Sequence, residues 1–342
     1  ASGGLRTCLG LVLLLVMLGA VGATYNALSV RYYRNAYPPP GKLYPVNGKM
    51  MHLYCTGEGS PTIVLEAGLG NDWLIWGKVQ PSLSKTTRVC SYDRFGVGWS
   101  EDQRGGRDSD SVADRLHALL SEGGVGAPLV LMGHSIGGLH IRAFTARFPH
   151  DVAGLVFVDC VTPIEAANVP PELRALRHDA DRDMAILKWQ TFFGIPRIRG
   201  ECLQVAPGFE HNATWLRADS CIPSQFDAIL AEGAASEASG RETLGTGPFD
   251  DLPVLIFSSD PSLSPPNSPL SAELLKRMGS VRQAGQEDLK NLSSRSRRVI
   301  AKGSRHYIQM DRADLLNREV PAFIREIREN SPSPKIGNTD TE

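Results

Sequence analysis

The segment Gly133-His134-Ser135-Ile136-Gly137-Gly138 sets a hydroxyl between two glycines in the pattern G-x-S-x-G. It follows an apolar run, Pro128–Met132, and precedes a helical pattern over Leu139–Phe148. A strand that turns abruptly into a helix leaves no room for side chains beside its central residue, and Gly133 and Gly137 supply that room. Ser135 is then thrust out at the sheet edge, where its oxygen can attack an acyl carbon. Such a serine needs an imidazole base, and the base needs a carboxylate to orient it. Among the eight histidines, His306 follows the last apolar run, in Ala301-Lys-Gly-Ser-Arg-His306, and is expected in a loop at the same edge. His134 is expected to point away from the nucleophile, and His117 and His150 to be solvated.

Two acids compete for the orienting role. Asp260 follows the run Pro253–Phe257, and Asp159 ends the run Ala153–Val158. Both fall at strand ends where ligands of open α/β sheets bind. Asp260 is favoured, as the more usual position for this arrangement, and Asp159 is expected to orient the start of the following segment. Backbone amides of Ile136 and of Leu69, in Glu66-Ala67-Gly68-Leu69-Gly70, are the expected oxyanion donors, with Gly68 close behind. Glu66 is read as a hydrogen-bonded structural acid and Asp93 as a turn-stabilising one.

The elements that must position these groups follow from the apolar pattern. Short runs at Thr62–Leu65, Arg88–Tyr92, Pro128–Met132, Ala153–Val158, Pro253–Phe257 and Arg298–Ala301 fit strands buried on both faces of a parallel sheet. Leu43–Val46 and Met51–Cys55 flank Asn47-Gly48 and predict an initial hairpin. Helical patterns lie between the runs. One covers Ser111–Leu120, with Ser111-Val-Ala-Asp114 as its capping box, and another carries Leu315, Leu316, Val320, Phe323, Ile324 and Ile327 near the C-terminus. Alternating strand and helix predicts a doubly wound, mostly parallel α/β sheet. The alternation breaks between Val158 and Pro253, a span too long for a simple loop, so an inserted helical cap is expected at about 161–250. Within it Pro171–Trp189 reads as helix, Gly233–Gly247 as a mobile stretch, and Trp189, Phe192 and Phe193 as either an acyl pocket or packing inside the cap. Pro261–Pro269 reads as an irregular loop and 331–342 as a disordered tail.

Length and charge bound the rest. The 342 residues carry 36 Lys+Arg against 37 Asp+Glu, a formal net charge of -1, so nothing supports nucleic-acid binding. Residues 1–36 are expected to be a signal peptide or membrane anchor plus linker, because Thr7 to Val30 holds no charge and Arg6, Arg31 and Arg34 flank it. The chain does not open on Met, so its true start is expected upstream. Membrane association through this segment is expected, with the remainder, 37–330, outside the cytoplasm. That compartment would permit Cys55–Cys90 and Cys202–Cys221 disulfides, leaving Cys8 and Cys160 unpaired; buried free thiols are the competing reading. No cysteine pair has C-x-x-C spacing, which argues against a zinc site or redox dithiol.

With these residues in view, the chain resembles the α/β-hydrolase superfamily, in particular its capped lipase/esterase-like group, over roughly Gly41 to Asn330. The resemblance rests on Leu65-Glu-Ala-Gly-Leu-Gly, Tyr92-Asp-Arg-Phe-Gly-Val-Gly-Trp-Ser, Gly133-His-Ser-Ile-Gly-Gly, Asp260 and His306. Ala67-Gly68 and Arg305-His306 depart from the His-Gly and Gly-His pairs common in that group, without removing a catalytic side chain. The resemblance implies a serine hydrolase that cleaves a small-molecule carboxylic ester through an acyl-enzyme, with no metal or organic cofactor. Aminopeptidase, lactonase and carbon–carbon hydrolase activities on the same triad are alternatives. Dehalogenase and epoxide-hydrolase chemistry is disfavoured, since those relatives carry Asp where this chain has Ser135. A non-catalytic interaction domain is the reading from another class, and the intact set Ser135, Asp260 and His306 argues against it. Oligomeric state is left open.

Overall fold

The computed structural model describes residues 2–167, 169–263 and 270–330. The expected tail at 331–342 lies outside these residues, as does most of the expected loop at 261–269. The strands are β1 (Lys42–Val46), β2 (Lys49–Thr56), β3 (Thr62–Glu66), β4 (Val89–Tyr92), β5 (Leu129–His134), β6 (Val152–Val158), β7 (Val254–Ser259) and β8 (Ser296–Ala301). They form one eight-stranded sheet in the order β1-β2-β4-β3-β5-β6-β7-β8. The β1/β2 and β2/β4 pairs are antiparallel, and every later pair is parallel.

The expected hairpin forms because Asn47 and Gly48 both adopt positive φ, 51° and 76°, the twist that joins two antiparallel strands through two residues. Strands β3, β4 and β5 are buried along their whole length, so their side chains alternate between two cores. Leu131 joins one core, while Val130 and Met132 join the other.

The helices, in chain order, are α1 (Ser2–Ala36), α2 (Gln80–Leu83), α3 (Ser109–Glu122), α4 (Gly137–Arg147), α5 (Pro163–Ala167), α6 (Pro171–Phe192), α7 (Ile195–Ile198), α8 (Ala213–Asp219), α9 (Pro223–Thr243), α10 (Ala272–Asp288), α11 (Ile308–Asp311) and α12 (Ala313–Asn330). Helices α3 and α4 cover one face with Leu116, Leu119, Leu120, Ile141 and Phe144. Helix α12 covers the other with the six apolar residues expected of it. Each such side chain contributes about 1.5–3 kcal/mol of transfer free energy, so this stripe anchors α12.

Two helix expectations are corrected. α3 starts at Ser109, and its cap is Asp108, whose carboxylate accepts from the Ser111 amide at 2.9 Å; Ser111-Asp114 lies within the helix, across its first two turns. The Gly233–Gly247 stretch is largely helix, the second half of α9. Its small residues permit close packing: a Cβ at Gly240 would collide with Cβ of Ala166 on α5. Helices α5 to α9 occupy the span between β6 and β7. Both expected disulfides are present; Cys55–Cys90 joins β2 to β4 where the two residues are register partners, and Cys202–Cys221 ties the inserted helices. Cys8 and Cys160 are free thiols.

Candidate active site

β5 ends at His134, and Ser135 takes a left-handed conformation, φ 55°, before α4 begins at Gly137. This bend explains the glycines. A Cβ at Gly133 would come within 2.7 Å of the Gly137 carbonyl oxygen, and one at Gly137 within 2.8 Å of the Glu66 oxygen. The bend is also tied to the next strand, since the Ser135 amide donates to Val158 O at 3.3 Å and the Val161 amide to Ser135 O at 2.9 Å. Cys160 fills the space behind Gly138 and donates its thiol to Gly133 O at 3.0 Å. Burial pushes that thiol well above the usual cysteine range, so it stays protonated.

His306 reaches this bend from the loop after β8. Its Nε2 lies 3.0 Å from Ser135 Oγ, and its Nδ1 lies 2.8 Å from Asp159 Oδ2. With Nδ1–H donating to the carboxylate, Nε2 is left to accept the serine proton. A hydroxyl joined to an imidazole whose far nitrogen is held by a buried carboxylate is the arrangement that makes serine nucleophilic at neutral pH.

The expectation of Asp260 is corrected: the carboxylate set against His306 is that of Asp159. β6 lies beside β5, so the residue following β6 emerges next to Ser135; Asp159 is buried, with φ 46°. Asp260 turns outward. Its carboxylate accepts from Ser262 N and Oγ and, at 2.9 Å, from Gly303 N. These bonds hold Asp260 down to about 2 and make it a brace for the loop that carries His306.

Asp159 is also held by a cation. Arg282 on α10 donates Nη2 to Asp159 Oδ2 at 2.5 Å and to its carbonyl at 2.8 Å, and Nη1 to Glu165 Oε1 at 2.8 Å. Burial opposes ionisation of Asp159, but the His306 hydrogen bond and the Arg282 charge outweigh it, and its carboxyl lies well below the usual range. Arg282 carries no sequence signal, because only the fold brings α10 over the end of β6. His134 does not point away from the site. Its Nε2 donates to the His306 carbonyl at 3.0 Å, and its ring lies 4.7 Å from the His306 ring. Burial, then the neighbouring imidazole, pushes His134 down to about 3, which keeps it neutral.

The loop after β3 approaches Ser135 from the opposite side; a Cβ at Gly68 would lie 3.2 Å from Cβ of Ser135. Among the described residues, neither the Leu69 nor the Ile136 amide donates to a protein oxygen. Arg94 pins this loop, donating to the carbonyls of Ala67 (2.9 Å) and Gly68 (2.7 Å), and to Glu66 Oε1 at 2.5 Å. It also binds Glu232 of α9 through Nε at 2.7 Å, and Glu232 Oε2 in turn accepts from the Gly70 amide at 3.0 Å. Glu66 further accepts from the Tyr92 hydroxyl, and Asp93 accepts from the amides of Trp73 and Trp99, as expected of structural acids.

Ser135, Ile136 and Leu69 open on a cavity of about 810 Å³. Leu139, Met184, Ile229, Leu230, Met278 and Val281 give it an apolar lining, and Arg177, Asp181, Glu237 and Arg277 add charge. Trp189, Phe192 and Phe193 neither line this cavity nor pack inside the inserted helices; they stack on one another at the surface. Both expectations for them are corrected. Among the described residues no three His, Cys, Asp or Glu side chains are placed to hold a metal ion.

The family model for the α/β hydrolase fold matches residues 61–313, and the chain belongs to that family. An uncharacterised protein of Schizosaccharomyces pombe is 32% identical over 270 residues, covering 69% of this chain and 49% of that protein. The chain thus spans about half the length of that relative, and less of others such as two uncharacterised Bacillus subtilis proteins (38% and 47%). An AB hydrolase superfamily protein of Gibberella zeae is 24% identical over 302 residues, with 80% and 89% of the two chains covered. Among solved structures, a thermophilic esterase from Thermogutta terrifontis superposes with TM-score 0.57 at 20% identity, covering 84% of this chain and 99% of that one. An N-acyl homoserine lactone degrading enzyme gives 0.59 at 18%, covering 83% and 100%. These likenesses concern the fold, and family membership supports a hydrolytic enzyme.

Proposed function

We propose that this protein is a serine esterase that cleaves carboxylic esters bearing a sizeable apolar acyl group. The observation that carries the reading is the chain Ser135–His306–Asp159 opening on an apolar cavity of about 810 Å³. Ser135 Oγ attacks the acyl carbon while its proton passes to His306 Nε2. Asp159, held in place by Arg282, stabilises the imidazolium, and the Leu69 and Ile136 amides receive the oxyanion. The alcohol leaves with the proton from His306. Water then adds to the acyl-enzyme, its proton returns through His306 to Ser135, and the carboxylic acid departs. p-Nitrophenyl esters of increasing chain length, with Ser135→Ala as control, test this; hydrolysis unchanged by Ser135→Ala would remove it.

The anchor reading of α1 extends this proposal. Within Gly4–Ala36 an 18-residue stretch has mean hydropathy 2.3, ample for a span by composition. The second half of α1 grips the inserted helices. Asn26 is buried and accepts from Arg197 Nε at 2.8 Å, and Arg34 pairs with buried Asp219 at 2.7 Å. The two disulfides support a catalytic domain outside the cytoplasm. Resistance of the protein to alkaline extraction from membranes tests the anchor.

A further inference from the structure

Helix α6 carries two stripes with different surroundings. Leu173, Arg177, Ala180 and Met184 line the cavity. Roughly opposite, at spacings of three and four, stand Ile186, Trp189 and Phe193, exposed by 50%, 56% and 40%. Phe192 and, from α7, Ile198 extend this patch, and Lys188 lies over the Trp189 ring at 5.8 Å. So much exposed apolar surface on a folded domain marks an interaction site.

The position of α1 identifies the partner. Gly19 and Gly22 of α1 abut Phe193: a Cβ at Gly19 would lie 3.3 Å from the Phe193 ring, and one at Gly22 would clash with the Phe193 carbonyl. Beyond that contact, the uncharged residues 7–18 rise only about 18 Å, against a hydrocarbon core of about 30 Å. For α1 to span, residues past Gly19 must also lie at membrane depth, and there the helix is flanked by the Phe193 patch. Indole and phenyl rings beside a lysine are the chemistry that settles at the boundary between headgroups and acyl chains.

The geometry points to the α6–α7 patch as a membrane-docking surface: Trp189, Phe192, Phe193 and Ile198 enter the lipid interface beside α1. The inference rests on the anchor reading of α1, and it puts α6, whose other face lines the cavity, against the lipid. A substrate ester dissolved in the bilayer would then be delivered directly to the enzyme.

Trp189 reports on this contact. Trp73, Trp76 and Trp99 are buried, and Trp215 is half-buried and bonded to Pro38 O. The full chain is reconstituted into phosphatidylcholine vesicles, with bromines either near the top of the acyl chains or near their ends. Shallow bromines are expected to quench about a fifth of the emission, the share of one tryptophan in five, deep bromines less, and Trp189→Phe should abolish the difference. A protein that floats with vesicles while Trp189 stays unquenched overturns the docking surface and leaves the anchor standing. One that fails to float overturns both. Hydrolysis of a soluble p-nitrophenyl ester in the same samples reads the catalytic proposal separately.

Discussion

His306 Nδ1 and Asp159 Oδ2 lie 2.8 Å apart although 147 residues separate them in the chain. Asp260, nearer to His306 in sequence, bonds instead to the backbone of the loop that carries it. The two carboxylates therefore differ in what their loss should do. Asp159→Asn should lower kcat by about 10⁴, the scale for a triad acid whose amide favours the wrong imidazole tautomer. Asp260→Asn should stay within a few-fold of the wild type. Steady-state kinetics on one p-nitrophenyl ester decides, and a larger loss from Asp260→Asn would return the role to that residue.

The depressed pKa of Asp159 has a consequence for stability. A carboxyl that ionises more readily folded than unfolded stabilises the fold fully above its unfolded value, about 3.9, and loses that contribution as pH falls towards the folded value. The difference in Tm between the protein and Asp159→Asn should be level above about pH 5 and narrow below about pH 4. Thermal unfolding followed from pH 7 to pH 3 checks the sign; a gap that widens in acid would contradict it.

Arg94 is surrounded by Glu66 and Glu232, all three buried. Arg94→Met leaves two buried carboxylates without their cation and should cost about 3–5 kcal/mol in urea unfolding. Glu232→Gln keeps the shape but weakens the hold on the Gly70 amide. It should fold, with a lower kcat and a smaller change in KM, because the loop it steadies carries the Leu69 amide proposed to receive the oxyanion.

Met184 lines the cavity from α6. Met184→Trp should fill part of the space without touching the triad. Hydrolysis of long-chain esters should then fall by about tenfold relative to short ones, the scale for a group of one or two methylenes excluded from an apolar pocket. Equal losses at every chain length would indicate that acyl groups do not occupy this cavity.

The contact between Ser135 and His306, the proposed nucleophile and base, was legible because both signals are local. Glycines at 133 and 137 are demanded by the bend itself, and His306 follows the last strand whatever the rest of the chain does. The acid was ambiguous for the same reason: Asp159 and Asp260 both follow apolar runs, and only lateral strand order puts one beside Ser135. His134 was misread because adjacency in sequence hides that the loop at 302–307 folds back over it. Arg94 lay within a motif, but its bond to Glu232 joins distant segments and leaves no periodic trace. The glycine-rich second half of α9 looked mobile because propensity does not register the close packing that small residues permit.

The ends of β5 and β6 are laced together, with the Ser135 amide on Val158 and the Val161 amide on Ser135. Ser135 and Asp159 thus behave as one rigid jaw, and the loop carrying His306 is the opposing part. Wear on such a device is lopsided. A disturbance that shifts the 302–307 loop severs both proton contacts at once, whereas one that tilts the β5–β6 pair carries hydroxyl and carboxylate along together.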